Sequence, residues 1–197
     1  VFTSDQGFEF GQHGFRMKVA PYDANIRSPL IVSMPQRLPS GRVCETPVGG
    51  TDLVPTFFEF AGIELPWPMH GRSLAPLLRD PDGRWSRPLL TTFTARKYGS
   101  DTNQIPTDPG ELMLVAGVPW YVSLHDGRYK YIRTLVQGET EELYDLDADP
   151  EELDNLAADV AYQQRLEQLR QQTIAELRRT DAGFADRMPP VAAPDAR

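Results

Sequence analysis

The feature that most constrains the fold is the start of the chain, where Val1-Phe2-Thr3 passes directly into Ser4-Asp5-Gln6-Gly7. A β-branched and aromatic run predicts the end of a buried strand, and Asp with Gly predicts a turn after it. In open α/β sheets, ligands bind at the carboxyl ends of strands. A carboxylate beside an amide suits a hard cation such as Ca²⁺ or Mg²⁺, so a plain turn and a metal site both fit this pattern.

Composition excludes several classes of function. The 197 residues carry a net charge of −8, with much of the acid in the stretch ETEELYDLDADPEELD, which argues against a nucleic-acid-binding surface. The sequence has no run of 18 apolar residues, so we expect no membrane span. Cys44 is the lone cysteine and cannot form an intrachain disulfide. We therefore expect neither a nucleic acid nor a membrane as a partner, and the sequence assigns no cellular compartment.

The predicted secondary structure changes in character near residue 88. Before it, residues 1–3 and 29–32 predict buried strands, which we interpret as pieces of a parallel sheet. A helix is predicted over 51–62, with an apolar stripe on one face (Leu53, Phe57, Phe60 and Ala61) and with Gly62 where a helix would end. A shorter helix is predicted over 71–78. Beyond residue 88 we predict short antiparallel strands at 88–94, 112–116, 120–124, 129–134 and 143–146, with Asp126-Gly127 as a hairpin turn. One long amphipathic helix is predicted over 161–179, and three- and four-residue steps place Leu166, Leu169, Thr173 and Leu177 on its apolar side.

The stretch TSDQGFEFGQHGFRMKVAPYDANIRSPLIVSMP resembles the second signature region of the sulfatase family. In that family a strand ends in Thr-Ser-Asp-(Asn, His or Gln)-Gly, and Gly-x-His-Gly, a Lys, Tyr-(Glu or Asp), Arg-x-Pro and an apolar strand follow. The matching residues are Asp5, Gln6, Gly7, Gly11, His13, Gly14, Lys18, Tyr22, Asp23, Arg27 and Pro29. The resemblance continues in TPVGGTDLVPTFFEFAGIELP, HGRSLAPLL, DGRYKYIR and ELYDLDADPEELDNLA.

The resemblance implies an α/β fold: the C-terminal part of an alkaline-phosphatase-like sulfatase, ending in a small antiparallel sheet packed against a C-terminal helix. We expect residues 1–87 to complete the catalytic domain, 88–187 to form a C-terminal subdomain, and 188–197 to be a disordered tail. The implied activity is hydrolysis of sulfate esters. Two alternatives remain: a phosphonate or phosphate monoester hydrolase of the same superfamily, and a non-catalytic folded fragment or interaction module.

The resemblance also implies roles for individual residues. Asp5 and Gln6 would be two of four ligands to a divalent metal, Ca²⁺ first, with Mg²⁺ or Mn²⁺ as alternatives. Lys18 would bind the sulfate, and His13 would lie near the same pocket, so both are candidate catalytic residues. Asp23 and Arg27 would hold the loop in place. The expected substrate is a sulfated small molecule or sugar.

The family's nucleophile is a formylglycine, made from Cys or Ser in a Cys/Ser-x-Pro-x-Arg motif. Cys44 does not fit this motif, and the fit at Ser33-Met34-Pro35-Gln36-Arg37 is interpreted as coincidence, because it follows the metal pair instead of preceding it. The paired aspartates that complete the family's metal site are not found in the sequence either. Because the chain also begins in mid-strand, we expect the formylglycine in a missing N-terminal half, which becomes a required partner. The chain alone is predicted to be inactive.

Overall fold

The computed structural model describes residues 1–94, 102–112 and 117–192. Within them the strands are β1 (Phe2–Thr3), β2 (Glu9–Phe10), β3 (Arg16–Met17), β4 (Leu30–Ile31), β5 (Leu89–Phe93), β6 (Tyr121–His125), β7 (Tyr129–Thr134) and β8 (Glu142–Asp145). The α-helices are α1 (Asp23–Ile26), α2 (Gly50–Ala61), α3 (Ala75–Arg79), α4 (Pro109–Leu112) and α5 (Gln163–Arg179). No helix in these ranges is long and apolar enough to cross a membrane.

The chain divides into two compact units. One consists of residues 1–3 and 29–89, and the other of residues 4–28 and 90–197. The division into 1–87, 88–187 and 188–197 stays a prediction. Of the expected tail, the backbone N–H of Ala192 donates to the Glu139 carbonyl at 3.1 Å, and residues 193–197 lie outside the described residues. The predicted strand at 112–116 is not found at Leu112, which ends α4, and its other residues lie outside the described ranges.

In the first unit, β1 and β4 form an antiparallel pair, with Phe2 opposite Ile31. The predictions of a parallel arrangement and of buried strands are both wrong here. Phe2 is 64% exposed and Ile31 is 60% exposed. The physical reason is that two paired strands of two residues each have no second layer against which to bury a face.

Helix α2 confirms the helix predicted over 51–62, and its ends have clear causes. At its start, the Asp52 carboxylate accepts the N–H of Gly49 at 3.1 Å, and Gly62 ends the helix at φ 68°, a conformation that glycine adopts freely. The buried positions are not the apolar stripe, however, but Asp52, Pro55 and Thr56. Three residues of the stripe, Leu53, Phe57 and Phe60, instead line a cavity of about 210 Å³, together with residues 32–34, which follow β4, and Leu78 of α3.

The second unit contains the predicted antiparallel sheet and long helix. Strands β5 to β8 lie in sequence order in one four-stranded sheet, and the tight turn between β6 and β7 falls at the predicted Asp126-Gly127. Helix α5 buries the residues that its three- and four-residue spacing predicts, Leu166, Leu169, Thr173 and Leu177. Leu166 and Leu169 pack with Leu124, Tyr131 and Leu143 of the sheet. Leu177 packs with Val122 of β6 and with Trp120, which precedes that strand.

A buried ion-pair cluster links this sheet to α1. The Lys130 ammonium on β7 lies 2.8 Å from Asp23 Oδ1 and 2.7 Å from Glu152 Oε1. The side chains of Lys130 and Glu152 are 1% and 2% exposed. Glu152 also accepts the backbone N–H of Asp23 at 2.5 Å. Burial raises the pKa of Glu152, while the Lys130 charge acts in the opposite direction. The cluster therefore holds the start of α1 by both charge and hydrogen bonds.

Lys130→Met should lower the free energy of unfolding by about 3 kcal/mol or more, because it leaves a buried carboxylate without its counter-charge. Adding Glu152→Gln should recover part of this loss. The matched control is Arg178→Met, which removes an exposed ion pair to Asp186 and should cost about 1 kcal/mol or less. Urea unfolding measures all three, and equal losses for Lys130→Met and Arg178→Met would contradict the assignment.

Candidate active site

Asp5 and Gln6 lie in a tight turn that follows β1. Oδ1 of Asp5 accepts the backbone N–H of Gln6 at 2.9 Å, and the Ser4 hydroxyl donates to the Gln6 carbonyl at 3.3 Å. The Asp5 side chain is 75% exposed. The turn that Asp and Gly predict is therefore present, and it leaves the carboxylate open to a ligand.

Lys18 is brought next to Asp5 across thirteen positions of sequence. Its Nζ donates to Asp5 Oδ2 at 2.5 Å, and its side chain is 41% exposed. This hydrogen bond, followed by the one from the Gln6 N–H, holds the pKa of Asp5 below its ordinary value of 3.8. Two of the residues singled out in the sequence, the candidate metal ligand and the candidate sulfate-binding lysine, thus lie together.

Unusual backbone flanks Lys18 on both sides. Met17 has φ 82° and Val19 has φ 94°, values that cost energy for residues with a side chain and especially for a β-branched one. Such conformations persist where surrounding contacts hold them and occur often at functional sites. Here the Tyr121 hydroxyl donates to the Val19 carbonyl at 3.1 Å, and Val19 packs against a buried cluster of Ala20, Val118 and Tyr121. The contacts fix the direction in which Lys18 leaves the backbone.

Gly7, the last residue of the Asp-Gln-Gly turn, is required by close packing. A Cβ at this position would lie 2.4 Å from the carbonyl oxygen of Ala24 in α1, far inside van der Waals contact. The neighbouring Asn25 is fully buried, and its amide donates to the Ala20 carbonyl at 3.0 Å. The segment after Lys18 therefore folds back against the turn that carries Asp5.

His13 is held by a different contact. Its ring stacks on the ring of Tyr22, with centroids 3.7 Å apart and planes inclined by 6°. His13 has φ 52° and lies between Gly11 and Gly14, which also have positive φ angles. The structure thus pairs Asp5 with Lys18, whereas His13 contacts Tyr22.

One further group near this loop, the carboxylate of Glu9, is not among the site residues predicted from the sequence. Glu9 on β2 is fully buried, and neither of its carboxylate oxygens has a hydrogen-bond partner among the described residues. Burial raises its pKa, and the charge of Lys130 partly opposes the shift. The flanking Phe10 is instead 82% exposed. The alternation Phe8-Glu9-Phe10 places Glu9 on the opposite face of the strand from the two aromatic rings. Polarity alone would predict buried aromatic rings and an exposed Glu9, which is the reverse of what is found.

The donor chemistry of this loop fits a divalent cation. Asp5 offers an exposed carboxylate whose lowered pKa keeps it ionised, and the Gln6 amide offers a second oxygen of the kind that Ca²⁺ binds. In the part of the chain that the structure describes, no group of three or more His, Cys, Asp or Glu side chains could hold a metal ion. Asp5 and Gln6 as metal ligands therefore stay a prediction.

Comparisons with known proteins identify relatives of this chain. An N-acetylglucosamine-6-O-sulfatase from Bacteroides thetaiotaomicron is 29% identical over 171 residues, which are 87% of this chain and 28% of that protein. A solved structure in complex with its substrate, D-glucosamine-2-N,6-O-disulfate, matches with a TM-score of 0.72 and 25% identity, over 94% of this chain and 35% of that one. The phosphonate monoester hydrolase of Agrobacterium radiobacter matches with a TM-score of 0.69 and 26% identity, over 89% and 34%.

The chain spans about a third of the length of the proteins that it matches. The expected fold class, the C-terminal part of an alkaline-phosphatase-like sulfatase fold, is confirmed by these structural matches. The family model described as N-sulphoglucosamine sulphohydrolase, C-terminal, matches residues 11–101 and 114–180. Because these ranges are most of the chain, the protein belongs to the family of N-sulphoglucosamine sulphohydrolase C-terminal regions and so to the sulfatases.

Proposed function

We propose that this chain is the C-terminal portion of a sulfatase that hydrolyses sulfate esters, and that it supplies a sulfate-binding lysine and part of a divalent-metal site. The observation that carries the proposal is the pairing of Lys18 with Asp5 at 2.5 Å, on a backbone whose φ angles are unusual on both sides of Lys18. Membership in the sulfatase family supports the reaction class.

The chemistry of a sulfate ester explains why these residue types suit it. The ester carries negative charge, and more charge gathers on the leaving oxygen as the S–O bond breaks. A cation placed in advance beside the sulfuryl oxygens stabilises this charge, because it needs no reorganisation during the reaction. The Lys18 ammonium is a compact point charge on a flexible stem, and its half-exposed side chain can reach a ligand.

Asp5 and Gln6 are proposed to hold the divalent cation, Ca²⁺ first, with Mg²⁺ or Mn²⁺ as alternatives. When bound, the cation would act as a Lewis acid on the sulfuryl oxygens. Asp5 contributes a negative charge and Gln6 a neutral carbonyl oxygen. The Asp5 carboxylate, which accepts a hydrogen bond from Lys18 Nζ, would also hold the lysine beside the anion. His13 is proposed to contact the substrate beside Lys18, with its ring face against Tyr22.

The nucleophile is proposed to be a formylglycine supplied by an N-terminal half of the same protein, outside the residues of this chain. We propose a sulfated sugar or another sulfated small molecule as the substrate. The structural neighbour solved with D-glucosamine-2-N,6-O-disulfate supports a sulfated sugar, as does the similarity to an N-acetylglucosamine-6-O-sulfatase.

A second candidate function is hydrolysis of phosphonate or phosphate monoesters. The match to the phosphonate monoester hydrolase of Agrobacterium radiobacter favours it, with 26% identity and a TM-score of 0.69. Lys18 and Asp5 would serve that reaction equally well, because both kinds of ester carry anionic oxygens around a tetrahedral sulfur or phosphorus atom. A non-catalytic role as a folded fragment or interaction module is the third alternative, and turnover by the complete protein decides among the three.

In the complete protein, kcat/KM should be higher for an aryl sulfate than for the matching aryl phosphonate or phosphate. Lys18→Ala should lower kcat/KM for the sulfate by roughly 10²–10³, the scale of losing one preorganised electrostatic contact, and Lys18→Arg should recover only part of it. The matched control is Arg16→Ala, which removes an exposed cation two residues away. Equal losses in Lys18→Ala and Arg16→Ala would contradict the role of Lys18, and a preference for the phosphonate would favour the second function.

Metal content tests the proposed ligands. Asp5→Ala in the complete protein should remove the divalent metal, because a carboxylate is the most strongly binding ligand this segment offers. Gln6→Ala should reduce occupancy less, since an amide carries no net charge. The matched control is Asp82→Ala, because Asp82 is also 75% exposed and also paired with a cation, Arg42. Full occupancy in Asp5→Ala, measured by elemental analysis, would remove Asp5 from the ligand set.

A further inference from the structure

We propose that Glu142, on the edge strand β8, acts through Tyr22 to position the His13 imidazole. The inference rests on the proposed function in one respect, which is that His13 faces the substrate. It adds a positioning pair, Tyr22 and Glu142, that comes from two distant parts of the sequence. A continuous series of contacts runs from β8 to the His13 ring.

The first contact is the stack between His13 and Tyr22. The two rings are almost parallel, at 6°, with centroids 3.7 Å apart, so one face of the imidazole is covered. Stacking uses the ring face and does not consume Nδ1 or Nε2, which remain available to a ligand. Because His13 adopts φ 52° between two glycines with positive φ, its own backbone gives little restraint, and the stack supplies it.

The second contact fixes Tyr22. Its hydroxyl donates to Glu142 Oε2 at 3.1 Å, and the hydroxyl of Tyr144 donates to the same oxygen at 2.5 Å. The rings of Tyr22 and Tyr144 meet edge to face, with centroids 6.4 Å apart. Glu142 and Tyr144 lie two residues apart on β8 and so share one face of the strand. The carboxylate therefore holds two phenols, one of which supports His13.

The electrostatics keep the two phenols of this arrangement protonated. Burial, followed by the negative charge of Glu142, raises the pKa of both Tyr22 and Tyr144 well above their ordinary value. Both phenols therefore remain donors across the whole range in which an enzyme works. Strand β8 is itself held by its pairing with β7, so the position of the His13 ring is set by the C-terminal sheet.

A purely structural role for Tyr22 would give a different result from a positioning role, so the test needs a signal from His13 itself. In the complete protein, histidine labelled at Cε1 gives one NMR signal per imidazole, and the His13 signal is the one lost in His13→Gln. A stacked aromatic ring shields the protons above its face. Tyr22→Leu should therefore move the His13 signal downfield, whereas Tyr22→Phe, which keeps the ring but loses the hydrogen bond to Glu142, should move it in the same direction by a smaller amount, as should Glu142→Ala.

The kinetic test changes Glu142, whose carboxylate accepts the hydrogen bond from the Tyr22 hydroxyl. Glu142→Ala should lower kcat/KM by roughly tenfold to 10²-fold, the scale of misplacing a reacting group by about 1 Å, with metal content unchanged. Glu142→Gln should rescue most of this, because an amide oxygen still accepts the Tyr22 hydroxyl. The matched control is Tyr144→Phe, which removes the other phenol on the same oxygen but leaves Tyr22 and His13 in contact.

The proposal is overturned if the His13 signal stays in place in both Tyr22→Leu and Glu142→Ala, or if Tyr144→Phe loses as much activity as Glu142→Ala. Should Tyr22→Leu fail to fold, the comparison of Glu142→Ala with Glu142→Gln tests the proposal instead, because equal losses of kcat/KM in these two variants would also overturn it. A wild-type protein that turns over neither ester would contradict the proposed function. The ring signal would still report whether Tyr22 and Glu142 position His13, so the two failures are distinguishable.

Discussion

The loop that carries the candidate active-site residues depends on one buried charge, the Lys130 ammonium of β7. It lies within 2.8 Å of both Asp23 and Glu152, so it joins the sheet to the start of α1. Without a nearby cation, the buried Glu152 carboxylate and the partly buried Asp23 carboxylate would repel each other, and the charge of Glu152 would be costly to bury. Because α1 packs against Gly7, this cluster also fixes the turn that presents Asp5. The C-terminal sheet therefore supports the site as well as forming a core of its own.

The second constraint is the backbone on either side of Lys18. Positive φ angles at Met17 and Val19 raise the energy of the folded loop, and the hydrogen bond from Tyr121 with the packing around Ala20 offsets that cost. The benefit is a lysine that leaves the backbone in one direction and meets Asp5. His13 is supported in a comparable way, since Tyr22 and Glu142 restrain a ring whose own backbone is flanked by glycines. In both cases, side chains of the C-terminal sheet stabilise a loop conformation that the backbone alone would not hold.

The sequence predicts elements well where a single periodic signal dominates. Helix α5 buries the four residues that its spacing indicates, and Asp126-Gly127 forms the turn between β6 and β7. The sequence fails to predict burial where burial depends on whether a second layer packs against the strand. Strands β1 and β4 have the composition of buried strands, but Phe2 and Ile31 are exposed and the two strands pair antiparallel. The resemblance to sulfatases singles out Asp5 and Lys18 but does not predict the direct ion pair between them, and the link from Glu142 to His13 spans more than a hundred residues and has no local signal. Glu9 has a local signal in its alternation with Phe8 and Phe10, but its burial reverses the usual preference of a carboxylate for water.

A crystal structure of the complete protein with a bound sulfate ester would show whether Lys18 and Asp5 form adjacent parts of one sulfate site. We expect Lys18 Nζ within hydrogen-bond distance, about 2.9 Å, of a sulfuryl oxygen, and Asp5 and Gln6 oxygens on a divalent cation beside it. Met17 and Val19 should keep their positive φ angles. A sulfate group bound elsewhere, with Lys18 directed into solvent and Asp5 away from the cation, would contradict this site.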